Sequence, residues 1–266
     1  MKDGDPLPLV QREDRQHVAR LILNSPQNQN ALSTAMIDAL DRALDEIAAD
    51  SAIRVVILAA QGKAFCAGHD LREIQAARTD ADTGLAAYQR LFAHCSGLMR
   101  KLAALPQPVI AEVQGIATAA GCQLVASCDL VVAAETVRFG VNGVNIGLFC
   151  ATPMVALTHT IPPRTALELL LTGDFIDAAR ARELGLVNRV TSAESLQTET
   201  LTLARQIAGK LPAAVRLGKA AFHAQRGLGM EEAYAATQAV ICENLMRPDT
   251  AEGIQAFLEK RPPNWD

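Results

Sequence analysis

Aromatic residues are scarce, 4% of the 266-residue chain with a single tryptophan and two tyrosines. An aromatic-rich β-sandwich is thereby disfavoured. The 50% of residues that are hydrophobic are mostly Ala, Val, Ile and Leu, a composition suited to α/β architecture. No CxxC pair occurs among the six cysteines (Cys66, Cys95, Cys122, Cys128, Cys150 and Cys242), so a metal-binding pattern is absent and reduced thiols are expected. There is no excess of positive charge. The net charge of −4, with Lys and Arg scattered, argues against a nucleic-acid face. No apolar run approaches the ~20 residues of a membrane span. The opening MKDGDPLPLVQRED is charged and carries no apolar signal region. These absences together lead to the expectation of a soluble, cytoplasmic protein without a membrane partner.

What is present is a strand–helix alternation. Residues 17–23 alternate as a strand and end at the turn cluster Asn24-Ser25-Pro26. Ser33 or Thr34 is placed to cap a helix bearing Met36, Ile37, Leu40, Leu44 and Ile47 on one face. The apolar runs Arg54–Ala60, Pro108–Val113 and Leu130–Ala134 read as strands buried on both faces. Residues 72–105 read as helical with a polar break at Arg78–Gly84. The order implies a mainly parallel sheet with right-handed crossovers. Beyond Pro163 the segments 164–172, 177–184, 193–210, 212–226 and 230–245 all read as helices. The expected division is an α/β core over 1–163 and a helical part over 164–266, without internal repeats or a low-complexity linker.

Small residues mark two strand–helix junctions: Lys63 to Leu71 (KAFCAGHDL) and Gly115 to Cys122 (GIATAAGC). Helix starts expose unpaired N–H groups that favour a developing anion. Two such donors converging on one oxygen would make an oxyanion hole, each worth ~3 kcal/mol of transition-state stabilisation. The alternative from spacing alone is that Gly68 and Ala119-Ala120-Gly121 serve only tight helix–strand packing.

KAFCAGHDL, then PVIAEVQGIATAAGCQLVASCDL and RFGVNGVNIGL, with ALELLLTGDFIDAARARELGLVNRV and AFLEKRPPNW downstream, resembles the crotonase (enoyl-CoA hydratase/isomerase) superfamily. The resemblance runs from about residue 17 to 265. It implies a spiral of ββα units, a C-terminal helical trimerisation region, and acyl-CoA as the small-molecule partner. It also implies a homotrimer or dimer of trimers, and no cofactor beyond the coenzyme A thioester substrate. Carried over by position, the thioester enolate would lie between the N–H groups of His69 and Ala120. The family usually has glycine at the latter position, and the extra methyl of Ala120 would narrow the acyl pocket.

The family's hydratases use two glutamates to position and activate water. Their positions here are Gln123 and Gly143. An amide orients water but does not shuttle protons, and a general acid or base contributes ~10²- to 10⁴-fold. Ordinary enoyl-CoA hydration is therefore expected to be crippled. Cys150 as nucleophile, and His69 or His94 as proton carriers, are the replacement candidates, against inert structural roles. Asn142 and Asn145 could bind a polar acyl group or a water. Asp70 is expected to cap the helix it begins, and Asp129 to act as a buried acceptor. The resemblance further implies CoA contacts at Lys63, Ala64, Ala67, Gly68, Asp70, Leu71, Phe257 and Lys260, some from a neighbouring subunit. The alternative for Lys260 and Arg261 is a solvated helix end. Asn28 stands where the family often has Lys or Arg, so one phosphate contact is expected to be absent. Three functions remain open: an acyl-CoA hydratase, isomerase or hydrolase using another residue; a non-catalytic acyl-CoA-binding protein; and a purely structural oligomer.

Overall fold

A computed structural model describes residues 7–265, so most of the charged opening segment discussed above has described structure only from Leu7 onward. The chain begins with a hairpin that the alternation in 17–23 half reveals. Strands β1 (Val10–Arg15) and β2 (Val18–Leu23) pair antiparallel. Gln16 and His17 turn between them at φ 51° and 66°, the conformation that two-residue hairpin loops require. Helix α1 (Thr34–Ala49) starts at Ser33, whose hydroxyl accepts from the Met36 N–H at 3.1 Å. Its buried face is Met36, Ile37, Leu40, Leu44 and Ile47, as the periodicity predicts.

From here the chain winds as a spiral in which each turn supplies one long and one short strand. Long strands β3 (Val55–Ala60), β5 (Val109–Val113) and β7 (Leu130–Ala134) run parallel beside β2. Short strands β4 (Ala64–Cys66), β6 (Ile116–Thr118) and β8 (Arg138–Gly140) form the parallel part of a second sheet. Between them lie α2 (Leu71–Ala77), α3 (Leu85–Ala104) and α4 (Ala120–Ala126). The polar break at 78–84 separates α2 from α3, and the Tyr88 hydroxyl rejoins them by donating to the Ile74 carbonyl at 3.0 Å. After β8 come a 3₁₀ turn (Asn142–Ile146), α5 (Ala151–Thr158) and α6 (Pro163–Thr172).

Residues beyond 163 are not wholly helical. Strand β9 (Phe175–Asp177) adds antiparallel to β8, and β10 (Arg189–Thr191) adds parallel to β7. Both sheets thus end on strands that follow Pro163. Helices α7 (Ala178–Glu183) and α8 (Leu196–Ala208) belong to this core, α8 lying against β3, β5 and β7. The remaining helices are α9 (Pro212–Gln225), α10 (Met230–Leu245) and α11 (Pro248–Leu258), the last without a counterpart in the sequence reading. Asp129 fastens α9 to the core: it accepts from Lys219 Nζ at 2.6 Å, His223 Nε2 at 2.8 Å and the Val109 N–H at 2.7 Å. Asp129 is an acceptor as read, though half-buried rather than buried.

Candidate active site

The two small-residue junctions meet. Gly68 sits at φ +92°, and a Cβ there would stand 2.9 Å from the Ala119 Cβ and 3.2 Å from the Ala120 nitrogen. Only glycine allows both that conformation and that approach. Leu32 N–H donates to the Gly68 carbonyl at 2.7 Å, making an isolated parallel bridge with His69. The Leu32 N–H is thus bonded to the residue before His69, and this bridge does not use the His69 N–H. Ala119 is held at φ 50°, ψ −122° by its N–H bond to the Gly140 carbonyl at 3.0 Å. The next N–H, that of Ala120, opens α4. Among the described residues neither the His69 nor the Ala120 N–H has an acceptor.

These turns border a cavity of about 460 Å³. Ala67, His69, Leu71, Ile74 and Phe92 line one side; Thr118, Ala119 and Ala120 form the floor; Asn142 to Pro153 close the other side. No Asp, Glu, Lys or Arg is among its lining residues. Of the sequence-selected residues, Ala67, His69, Leu71, Ala120, Gly143, Cys150, Asn142 and Asn145 come together here, with Gly68 between Ala67 and His69. Thr118 and Phe92 were not anticipated. Only the β6–β8 register and the packing of α3 reveal them.

The remaining candidates divide. Gln123 is buried, 4% exposed, with its Oε1 unpartnered, but it borders a different cavity, of about 730 Å³, between α3, α4, α5 and α9. That cavity shares Thr152 with the acyl cavity, and Gln123 lies on α4 three residues after Ala120. Gly143 does line the acyl cavity, but its surroundings are closed: a Cβ there would collide with the Leu148 carbonyl and stand 2.9 Å from Cys150 Sγ. The Cys150 thiol is raised by burial and stays neutral, which removes the reason to read it as a nucleophile. Burial likewise pushes Cys66 and Cys122 up to about 12, and among the described residues no disulfide forms.

His69 Nδ1 bonds to the Leu32 carbonyl at 3.2 Å, which assigns the proton to Nδ1. Its ring packs edge-on to Phe92, with centroids 5.2 Å apart. The Nε2 is covered and without partner. Burial lowers the imidazole pKa from its ordinary value, against the Leu32 hydrogen bond and the Glu73 charge. The ring is therefore neutral, with no open nitrogen to receive a proton. His94 lies away from the cavity, 3.6 Å from Asp38 on α1. Asp70 caps α2 through the Arg72 N–H at 2.9 Å and accepts from Asn28 at 2.8 Å, so Asn28 serves this cap.

The Ala64 carbonyl takes amide donors from Asn30 and Gln114 at 2.9 and 3.1 Å, while the Lys63 side chain is exposed. Phe257, 81% exposed on α11, and Lys260 lie outside the lining of this chain's own cavity. Arg261 is committed to Glu252 at 2.7 Å and Glu259 at 2.6 Å.

Residues 13–266 match the family described as enoyl-CoA hydratase/isomerase. The chain belongs to that family. Its spiral is the crotonase fold: it superposes on an enoyl-CoA hydratase of Mycobacterium smegmatis with TM-score 0.92 and 48% identity, covering 97% of this chain and 99% of that one. The structure of human enoyl Coenzyme A hydratase domain-containing protein 3 gives TM-score 0.92 at 40% identity, covering 97% and 100%. A Xenopus laevis relative, "Enoyl-CoA hydratase domain-containing protein 3, mitochondrial", is 44% identical over 98% of this chain and 86% of its own length. The cytoplasmic expectation is corrected by these relatives, since the frog, zebrafish, mouse and human proteins are all named as mitochondrial. The physical reason is that composition and reduced thiols do not discriminate between the two compartments.

Proposed function

We propose that this family member binds an acyl-CoA thioester with its carbonyl between the N–H groups of His69 and Ala120, and that it does not hydrate 2-enoyl-CoA at ordinary enzyme rates. One observation carries this reading. Two unpartnered N–H groups adjoin across Gly68 on a cavity that no ionised side chain lines. The donors suit an oxyanion, and an apolar cavity strengthens their pull on it. Hydration needs in addition a group that activates water and one that protonates carbon.

Each position that could supply such a group is disabled in its own way. Gln123 carries an amide, which does not shuttle a proton, Gly143 has no side chain and stands against Leu148 and Cys150, and His69 Nε2 is covered. This favours binding without hydration over the reading in which a replacement residue runs the family's usual reaction. Phe257 and Lys260 are proposed to reach the CoA of a neighbouring subunit, consistent with their exposure on α11 and just past its end.

The test is calorimetric titration of butyryl-CoA into the native protein and Gly68→Val. The native protein is expected to bind, and the variant to lose about tenfold or more in affinity, because its side chain would enter the space between the donors. Unchanged binding by a folded Gly68→Val would overturn the oxyanion assignment.

A further inference from the structure

The floor of the acyl cavity holds a polar pair that hydration does not need and that an apolar acyl pocket would not be expected to keep. Strand β6 pairs with β8 so that Thr118 faces Gly140, which brings Thr118 beside the residue two positions further on. The Thr118 hydroxyl donates to Asn142 Oδ1 at 2.5 Å. With its oxygen so held, the amide presents its Nδ2 on the opposite side. That nitrogen has no partner among the described residues, yet it is not one of the covered polar atoms. Both residues line the cavity with Ala119 and Ala120. Thr118 is only two residues from the Ala120 donor, so the amide stands at the thioester end of the site rather than at its far wall.

An amide –NH2 donates only. A hydrocarbon chain laid against it would strip its water and return nothing, a penalty that native sites avoid by pairing the group with the ligand. Other polar groups around the cavity do not compete for the role. The Asn145 Nδ2 is turned to the Gly173 carbonyl at 3.4 Å, the His69 Nε2 is covered, and Cys150 is a neutral thiol.

We propose that Asn142 is a specificity-determining residue whose Nδ2 donates to an oxygen on the acyl group near the thioester, and that the site selects 3-hydroxy- or 3-oxoacyl-CoA over plain saturated or 2-enoyl-CoA. Thr118 is the positioning residue that fixes the amide. The proposal rests on the acyl-CoA reading above and names the substrate class of that same site.

The matched pair 3-hydroxybutyryl-CoA and butyryl-CoA tests it by calorimetry, because the two differ in one oxygen and neither carries the acidic methylene of a 3-oxo thioester. The native protein is expected to prefer the hydroxylated ligand by about tenfold or more. Asn142→Leu should erase the preference, weakening the hydroxylated ligand about tenfold and leaving butyryl-CoA bound at least as tightly as before, since its chain no longer strips water from the amide. Thr118→Val, which keeps the shape of Thr118 but frees the amide, should reduce the preference; a merely structural residue would weaken both ligands alike. Asn142→Ala, which also lacks a donor, serves in place of Asn142→Leu should the latter fail to fold.

Equal affinities in the native protein, or a preference that survives in a folded Asn142 variant, would overturn the proposal. Gly68→Val separates it from the reading beneath. If both affinities survive in Gly68→Val while the preference still depends on Asn142, the oxyanion assignment falls and the Asn142 assignment stands. Failure of the native protein to bind either ligand would overturn both.

Discussion

Ala119 shows how the site is held at a cost to the chain. A non-glycine residue at φ 50°, ψ −122° is strained by about 1–3 kcal/mol and persists only where its surroundings enforce it. Here the enforcing contacts are its N–H bond to the Gly140 carbonyl and its place against Gly68. Ala119→Gly is therefore expected to stabilise the protein by about 1 kcal/mol in urea unfolding, because glycine adopts this conformation freely. A loss of stability would show that the alanine methyl contributes more by packing than the backbone strain takes away. Gln123 and Gly143 could be singled out only through the family resemblance, by their offsets from Gly121-Cys122 and from Phe139. The Thr118–Asn142 pair was not readable, because only strand register brings residues 24 apart in the chain into contact.

The 142–150 segment shows why an element can be closed to a chemistry that one substitution would nominally restore. The 3₁₀ turn after β8 brings the Leu148 carbonyl against Gly143, so Gly143→Glu would introduce a Cβ into occupied space. The expected outcome is a destabilisation of about 1–3 kcal/mol, as for other overpacked sites, with no gain in hydration. Thermal melts and a crotonyl-CoA assay on the variant check both parts, and a stable, hydrating variant would contradict them. Elements with sustained patterns were legible: the face of α1, its Ser33 cap, and the long strands β3, β5 and β7. The short strands β4, β6, β8, β9 and β10 were missed. Three residues are too few to show alternation, and β9 and β10 lie among strong helical patterns that drew the reading of 164–266 as helical.

The homotrimer or dimer of trimers that the resemblance implies would need an apolar surface to cover. Phe222, Met230, Tyr234, Met246, Phe257 and Leu258, all in the C-terminal helices or their connections, are between 57% and 84% exposed. Large apolar groups clustered in one region of a folded chain mark an interaction surface. Light scattering is expected to give three or six times the 28.4 kDa chain mass, and a monomer would contradict the proposed assembly. Family and fold were legible across almost the full length, whereas compartment was not, since composition says nothing of where a chain is delivered. The measurement that bears most directly on the proposed binding without hydration is the enoyl-thioester absorbance of crotonyl-CoA mixed with purified native protein, alongside Gln123→Glu. No loss of absorbance in either protein is expected, because Gln123→Glu restores one acid while Gly143 still supplies no second one. Loss at ordinary enzyme rates with the native protein would show that another group moves the proton, and the account would be wrong.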